Sequence, residues 1–233
     1  MSAVPAMDEA SSARLRIWDG PTRMMHWLLV VLIAVCWWTG IQDQLQWHLY
    51  AGYAILWIVL LRLYWGFVGS STARFAHFVR GPRHMLDYAR TLHHRESAHS
   101  YGHNPLGAIS VLVMLGVVLA VVGLGLFAVD VDGLYSGPLS SFVSFRTGRH
   151  LAHLHYQWFE YLLVVIALHL AAVVFYYVYK RQNLVFPMIS GSKTVPGPVE
   201  KELQTAPFWR LAVGAAIASA IVWMVVDGIY YFL

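Results

Sequence analysis

Four of the twelve histidines in this chain lie inside or at the ends of long apolar runs: His26, His48, His155 and His169. The segment HLHYQWFEYLLVVIALH, residues 153–169, shows the pattern at its densest, with His169 deep among aliphatic residues. A neutral imidazole offers one nitrogen lone pair, which suits histidine to metal ligation and to proton transfer. Ionisable side chains are expensive in lipid, so each of the four is a functional candidate. For any single one, the competing reading is a structural hydrogen bond between helices. Helical spacing sorts them further. His155 and His169 are fourteen residues apart, about 40° short of four full turns and about 21 Å along the axis. They share one helix face, one near each membrane surface. His153 falls about 160° round from His169, and His150 about 100°. His77, His84, His93, His94 and His99 lie in a polar connection and read as solvated loop residues.

The elements that must hold these residues are membrane helices. The chain is 58% hydrophobic and only 12% charged, with a mean hydropathy of +0.56. A soluble domain carries about 25% charged residues. A spanning helix needs about 20 mostly apolar residues, and runs of that kind cover 25–40, 49–68, 106–129, 151–179 and 208–233. The first is short and extends a few residues at each end. None shows the alternation of a membrane barrel strand. The expected fold is an all-α integral membrane bundle, a four-helix core plus a fifth C-terminal transmembrane helix. Residues 1–15 read as a disordered tail with a short amphipathic stretch and no signal peptide. Segments 69–104 and 180–207 read as long polar connections.

Orientation follows from charge. Arg14, Arg16 and Arg23 precede the first run. Arg74, Arg80, Arg83, Arg90 and Arg95 separate the second from the third, and Lys180, Arg181, Lys193, Lys201 and Arg210 separate the fourth from the fifth. Basic residues stay on the cytoplasmic side. The N-terminus is therefore expected inside and the C-terminus outside, with 41–48 and 130–149 facing the exterior. The basic pI reflects this topology, and nucleic acid is not an expected partner. The single cysteine, Cys36, rules out a disulfide, a cysteine-held cluster and a C-x-x-C-H haem attachment.

Topology supplies the partners. His48 and His155 fall in the outer half, His26 and His169 in the inner half. Two depth-matched imidazole pairs are what bis-histidine haem requires, and such six-coordinate iron transfers electrons. Two histidines without cysteine or carboxylate are a poor zinc set. A histidine proton relay would not call for two depth-matched pairs. Gly52 shares a face with His48 and would let a flat macrocycle approach, as would Gly116, Gly123 and Gly125 on the third helix. Close helix packing explains such glycines equally well. Arg62, fourteen residues past His48, lies towards the cytoplasmic side, where a propionate of the inner haem would answer its charge. Snorkelling to the headgroups is the alternative. Trp27, Trp37, Trp38, Trp47 and Trp65 read as interfacial belts.

The motifs WDGPTRMMHW, WHLYAGYAILWIVLLRLYWGFVG and GHNPLGA, followed by the paired histidines of the fourth helix, resemble the bacterial di-haem cytochrome b561 family. That family is related to the b-type cytochrome subunits of nickel–iron hydrogenases and formate dehydrogenases. The resemblance covers about residues 16–190, leaving 191–233 as a linker and fifth helix. It implies two b haems ligated by His48 with His155 (outer) and His26 with His169 (inner). It also implies location in the bacterial inner membrane and electron exchange with quinone, either as an oxidoreductase or as the cytochrome b subunit of one. A cytoplasmic-side quinone site beside the inner haem is further implied, where YGHNPLGA offers His103 and Asn104 to a quinone carbonyl. The plainer reading of HNP is a helix start, with Asn104 as cap and Pro105 in the first turn.

The exterior segment 130–149 is expected to receive a periplasmic partner, a cytochrome c or an iron–sulfur oxidoreductase subunit. Three alternatives remain at this point. One is superoxide oxidation at the outer haem, with Arg146, Arg149 and His150 collecting the anion. The others are a proton-coupled transporter, for which inverted repeats are lacking, and a pure membrane anchor.

Overall fold

The structure is a computed structural model that describes residues 12–79, 81–94, 102, 104–132, 134–196 and 203–227. Five helices are long and apolar enough to span a membrane. They are α1 (Gly20–Ile41), α2 (Leu45–Val68), α5 (Pro105–Leu126), α6 (Phe145–Val178) and α8 (Phe208–Val226). All five runs read from the sequence are present, with the first and fourth starting earlier than expected.

Their starts have local causes. Asp19 caps α1, its carboxylate accepting from the Thr22 amide at 2.9 Å. Ser144 caps α6 by accepting from the Thr147 amide at 3.2 Å. Both α1 and α5 carry proline in the first turn, where its missing N–H costs nothing. A tight turn at residues 42–44 joins α1 to α2, with Asp43 in the left-handed region (φ 53°).

The helices assemble as two hairpins, α1 with α2 and α5 with α6, joined where α2 meets α5. In the described residues, α6 has no comparably extensive contact with α1 or α2. Side chains bridge that interval instead. Cys36, Ile55, Val59, Val121 and Leu162 form one buried cluster there, flanked by Trp158, Phe159 and Ile166. A second cluster, Met25, Ile58, Leu61 and Trp65, lies against Ala218 of α8. The fifth helix thus packs on the outside of α2. Trp57 donates to Ser219 Oγ at 2.9 Å, and Arg210 donates to the Val68 carbonyl at 3.0 Å. The outward faces of α1, α2, α6 and α8 carry exposed Trp38, Phe67, Leu168 and Phe208. In a span that surface belongs to lipid.

Three segments differ from the sequence reading. Residues 12–15, assigned to a disordered tail, belong to β1 (Ser12–Arg16), which pairs antiparallel with β2 (Ser192–Pro196) inside the expected linker. Leu15, Ile17 and Trp18 bury beneath the pair beside Met188. The connection 69–104 contains α3 (Phe75–Phe78) and α4 (Pro82–Arg90), and 180–207 contains α7 (Val185–Ser190). The period-two alternation of β1 is too short to read locally, and its partner lies far along the chain. Residues 1–11, together with His99, Arg80, Arg95 and Lys201, lie outside the described residues.

Candidate functional site

His48 stands in the first turn of α2 and His155 in the upper part of α6. Their rings are T-shaped, with centroids 5.9 Å apart. The Nδ1 of His48 is 2.9 Å from the Cys36 carbonyl, and the Nδ1 of His155 is 2.7 Å from the Val121 carbonyl. A carbonyl only accepts, so each Nδ1 carries the proton and each Nε2 keeps its lone pair. Such an outer bond fixes tautomer and ring orientation in metal-ligating histidines. Two imidazoles on opposite sides of one metal ion have centroids about 6 Å apart, given metal–nitrogen bonds of about 2 Å. The observed separation fits haem iron between them.

Two glycines make room for the rings. A Cβ on Gly125 would come within 3.0 Å of the His155 ring, and one on Gly40 within 3.3 Å of His48 Nδ1. Gly125 therefore accommodates an imidazole rather than a macrocycle. A Cβ on Gly52, Gly116 or Gly123 would meet nothing within 4 Å, so these positions border open space. His150 and His153, set aside on helix geometry, are exposed.

At the inner end, His26 of α1 and His169 of α6 are near enough for the charge of one to act on the other. His26 Nδ1 is buried with no hydrogen-bond partner, and the ring lies edge-on to Trp27 at 5.0 Å. Arg62 is level with it. His26 is six residues in from the start of α1, and Arg62 is six before the end of α2. Arg62 is 6% exposed, so it does not snorkel. Its guanidinium lies 5.1 Å from the Phe75 ring centre and within electrostatic reach of Asp19. Asp19 is itself buried, and its second oxygen accepts from the Trp65 indole at 2.8 Å.

Asn104 caps α5. Its Oδ1 accepts from the Gly107 amide at 2.7 Å and its Nδ2 donates to Tyr176 Oη at 2.9 Å. Tyr176 also shares a hydrogen bond with Tyr88 Oη at 2.8 Å. Tyr176 lies two turns beyond His169 on α6, about 10 Å along the axis. His103 lies outside the described residues. Asn104→Ala removes both bonds and should lower stability by about 1 kcal/mol, read as a fall in thermal midpoint in detergent. Asn104→Asp, which keeps the cap acceptor, should lose less, and an Asn104→Ala midpoint equal to wild type would refute the capping role.

Asp19, the Cys36 and Val121 carbonyls, Gly40 and Tyr176 escaped the sequence reading. Backbone acceptors leave no trace in residue type. Asp19 had one available signal, its place immediately before Gly-Pro at a helix start.

Two curated relatives are both described as a probable Ni/Fe-hydrogenase B-type cytochrome subunit. That of Azotobacter chroococcum mcd 1 is 25% identical over 209 residues, covering 75% of this chain and 86% of that protein. That of Azotobacter vinelandii is 26% identical over 212 residues, with coverage of 75% and 86%. No solved structure matches the chain significantly. The model of the prokaryotic cytochrome b561 family matches residues 17–191, a stretch that contains all four intramembrane histidines and the helices that carry them. The chain therefore belongs to the prokaryotic cytochrome b561 family, b-type cytochromes of the membrane that pass electrons by way of haem b.

Proposed function

We propose that the chain carries electrons across the bacterial cytoplasmic membrane, between a periplasmic redox partner and the quinone pool. Two b haems would serve it, one held by His48 and His155 and one by His26 and His169. The observation that carries this reading is the outer pair. Two imidazoles face each other at 5.9 Å, and both Nδ1 protons are committed to carbonyls. Among the described residues, no three His, Cys, Asp or Glu side chains converge as a zinc site would need. When bound, bis-histidine haem exchanges one electron and presents no open iron position to oxygen.

The residues of the chain orient this pathway. His155 and His169 set the two levels about 21 Å apart along α6, so the pair spans most of the hydrocarbon thickness of about 30 Å. The segment between α5 and α6 would receive the partner. Exposed Val131, Leu134, Tyr135 and Phe142 lie on it, and it folds back on the α5 end through Gly137 and Leu139 amides bonded to Ala128 and Leu126 carbonyls. The relatives are named as hydrogenase subunits, which favours an oxidoreductase subunit over a soluble cytochrome c. A quinone headgroup would sit by the inner pair, with His103 donating to a carbonyl. Asn104 already uses its amide on Gly107 and Tyr176.

Purified protein should be red and give two haem b per chain by pyridine haemochrome, with a low-spin reduced-minus-oxidised spectrum. A folded, colourless protein would refute the reading. His103→Ala should slow quinone-dependent haem oxidation about tenfold, the equivalent of about 1.4 kcal/mol from one hydrogen bond, with haem content unchanged. Wild-type kinetics would remove His103 from the quinone site.

A further inference from the structure

The unmet hydrogen-bonding groups are not spread evenly. Among the described residues, the buried side-chain atoms without a partner are Thr22 Oγ1, Arg23 Nε, His26 Nδ1, Arg62 Nη1, Thr72 Oγ1 and Arg74 Nε. Every one lies at the inner end of the bundle, on the start of α1, the end of α2 or the turn after it. At the outer end the corresponding histidine nitrogens are both satisfied. A buried donor left unmet costs about 1–3 kcal/mol, more when charged, so a surplus of donors points to an acceptor that belongs there.

Three of these groups lie on the end of α2 and the turn that follows it. The turn after α2 folds back so that Phe75 packs against Gly66, where any Cβ would collide with its ring. That ring lies 5.1 Å from the Arg62 guanidinium, and Arg74 immediately precedes it. Thr72 is two residues earlier, in contact range of Gly102 at the entrance to α5. The corner is held firmly. Ser70 accepts from the Ala73 and Arg74 amides and bonds the Ala206 amide through its hydroxyl. Asp19, the carboxylate that acts on Arg62 among the described residues, has both oxygens engaged by Thr22 and Trp65. Arg62 Nη1, Thr72 Oγ1 and Arg74 Nε at this corner thus have no hydrogen-bond acceptor among the described residues. Their complement is an oxyanion, and guanidinium groups suit carboxylate best.

We propose that Arg62, Thr72 and Arg74 form an oxyanion cradle that holds a propionate of the inner haem. This rests on the two-haem reading above and adds Thr72 and Arg74 to it. Arg62 lies at the depth of His26, so a porphyrin between His26 and His169 brings a propionate to that level. The other source of such an anion, a lipid phosphate, would bind from the membrane surface.

The test is a redox titration of both haems in the whole protein, the inner one identified as the haem that survives in H155A. Arg74→Gln should lower the inner haem's tendency to be reduced about tenfold, about 59 mV for one electron, because an unneutralised carboxylate disfavours the ferrous form. The outer haem should not move, Arg74→Lys should recover most of the shift, and Arg90→Gln, an exposed cation on α4, should leave both haems in place. If Arg74→Gln does not retain haem, Thr72→Val keeps charge and volume and should lower the same equilibrium about threefold. An unchanged inner potential in a variant that binds both haems overturns the cradle and leaves the two-haem reading standing. Loss of bound phospholipid phosphorus without a potential shift assigns the anion to lipid and also overturns it. A wild-type protein with no inner haem would instead overturn the two-haem reading.

Discussion

On the proposed two-haem ligation, replacing His155 with alanine should take the haem content from two per chain to one, with the surviving haem keeping its low-spin spectrum. His155 is the side chain that α6 brings opposite His48, at 5.9 Å between ring centres. Its Nδ1 bond to the Val121 carbonyl leaves Nε2 as the lone-pair donor. Methyl cannot replace that donor, and no other histidine can reach the place, since His150 and His153 point away and are exposed. Disturbing a partner of a metal ligand costs 10- to 100-fold in affinity as a rough rule, and removing the ligand itself should cost more. The inner pair sits about 21 Å away along α6 and should hold its haem. His153→Ala, two residues off and on another face, should retain both. The measurement is pyridine haemochrome against protein concentration. Two low-spin haems in His155→Ala would sink the assignment of the outer site.

The second large effect is on stability and comes from Asp19, which is 3% exposed. This carboxylate does three things at the inner end. It caps α1 through the Thr22 amide and accepts from the buried Trp65 indole. It also places a negative charge within reach of the buried Arg62 guanidinium. Asp19→Ala removes all three. Loss of the cap costs about 1 kcal/mol, and an indole N–H left without an acceptor costs about 1–3 kcal/mol. The expected loss is therefore about 3 kcal/mol, before any effect on Arg62. It should register as a marked fall in the thermal midpoint of haem release in detergent. Asp19→Asn keeps one acceptor oxygen for the Thr22 amide but turns an NH2 donor toward the Trp65 indole and deletes the charge. It should recover about the share of the loss that belongs to the cap. A midpoint for Asp19→Ala within about 0.5 kcal/mol of wild type, the range for ordinary surface substitutions, would refute this role.

Much of the framework was legible in residue order because its signals are additive and local. About twenty apolar residues in a row read as a span, and all five such runs are helices long and apolar enough to be one. Depth matching of His48 with His155 needed only the topology and the helical rise, and the two rings do meet. The same reasoning failed for β1. Five residues with a weak alternation become a strand only because Ser192–Pro196 supplies the hydrogen bonds, and pairing over that separation leaves no local mark. Arg62 illustrates the intermediate case. Its depth could be counted, but its confinement beneath Phe75 depends on a turn whose course no periodicity reveals.

By itself, then, the order of residues determined that the chain crosses the membrane five times and that four imidazoles lie at two levels within it. Hydropathy and helix periodicity are properties of single segments, so they survive without knowledge of neighbours. Only the tertiary structure decided which carbonyls take the histidine protons, which glycines yield space to the rings, and that the inner end holds donors without acceptors. Those are relations between segments distant in sequence, set by how helices and turns pack, and they arise only once the chain has closed on itself.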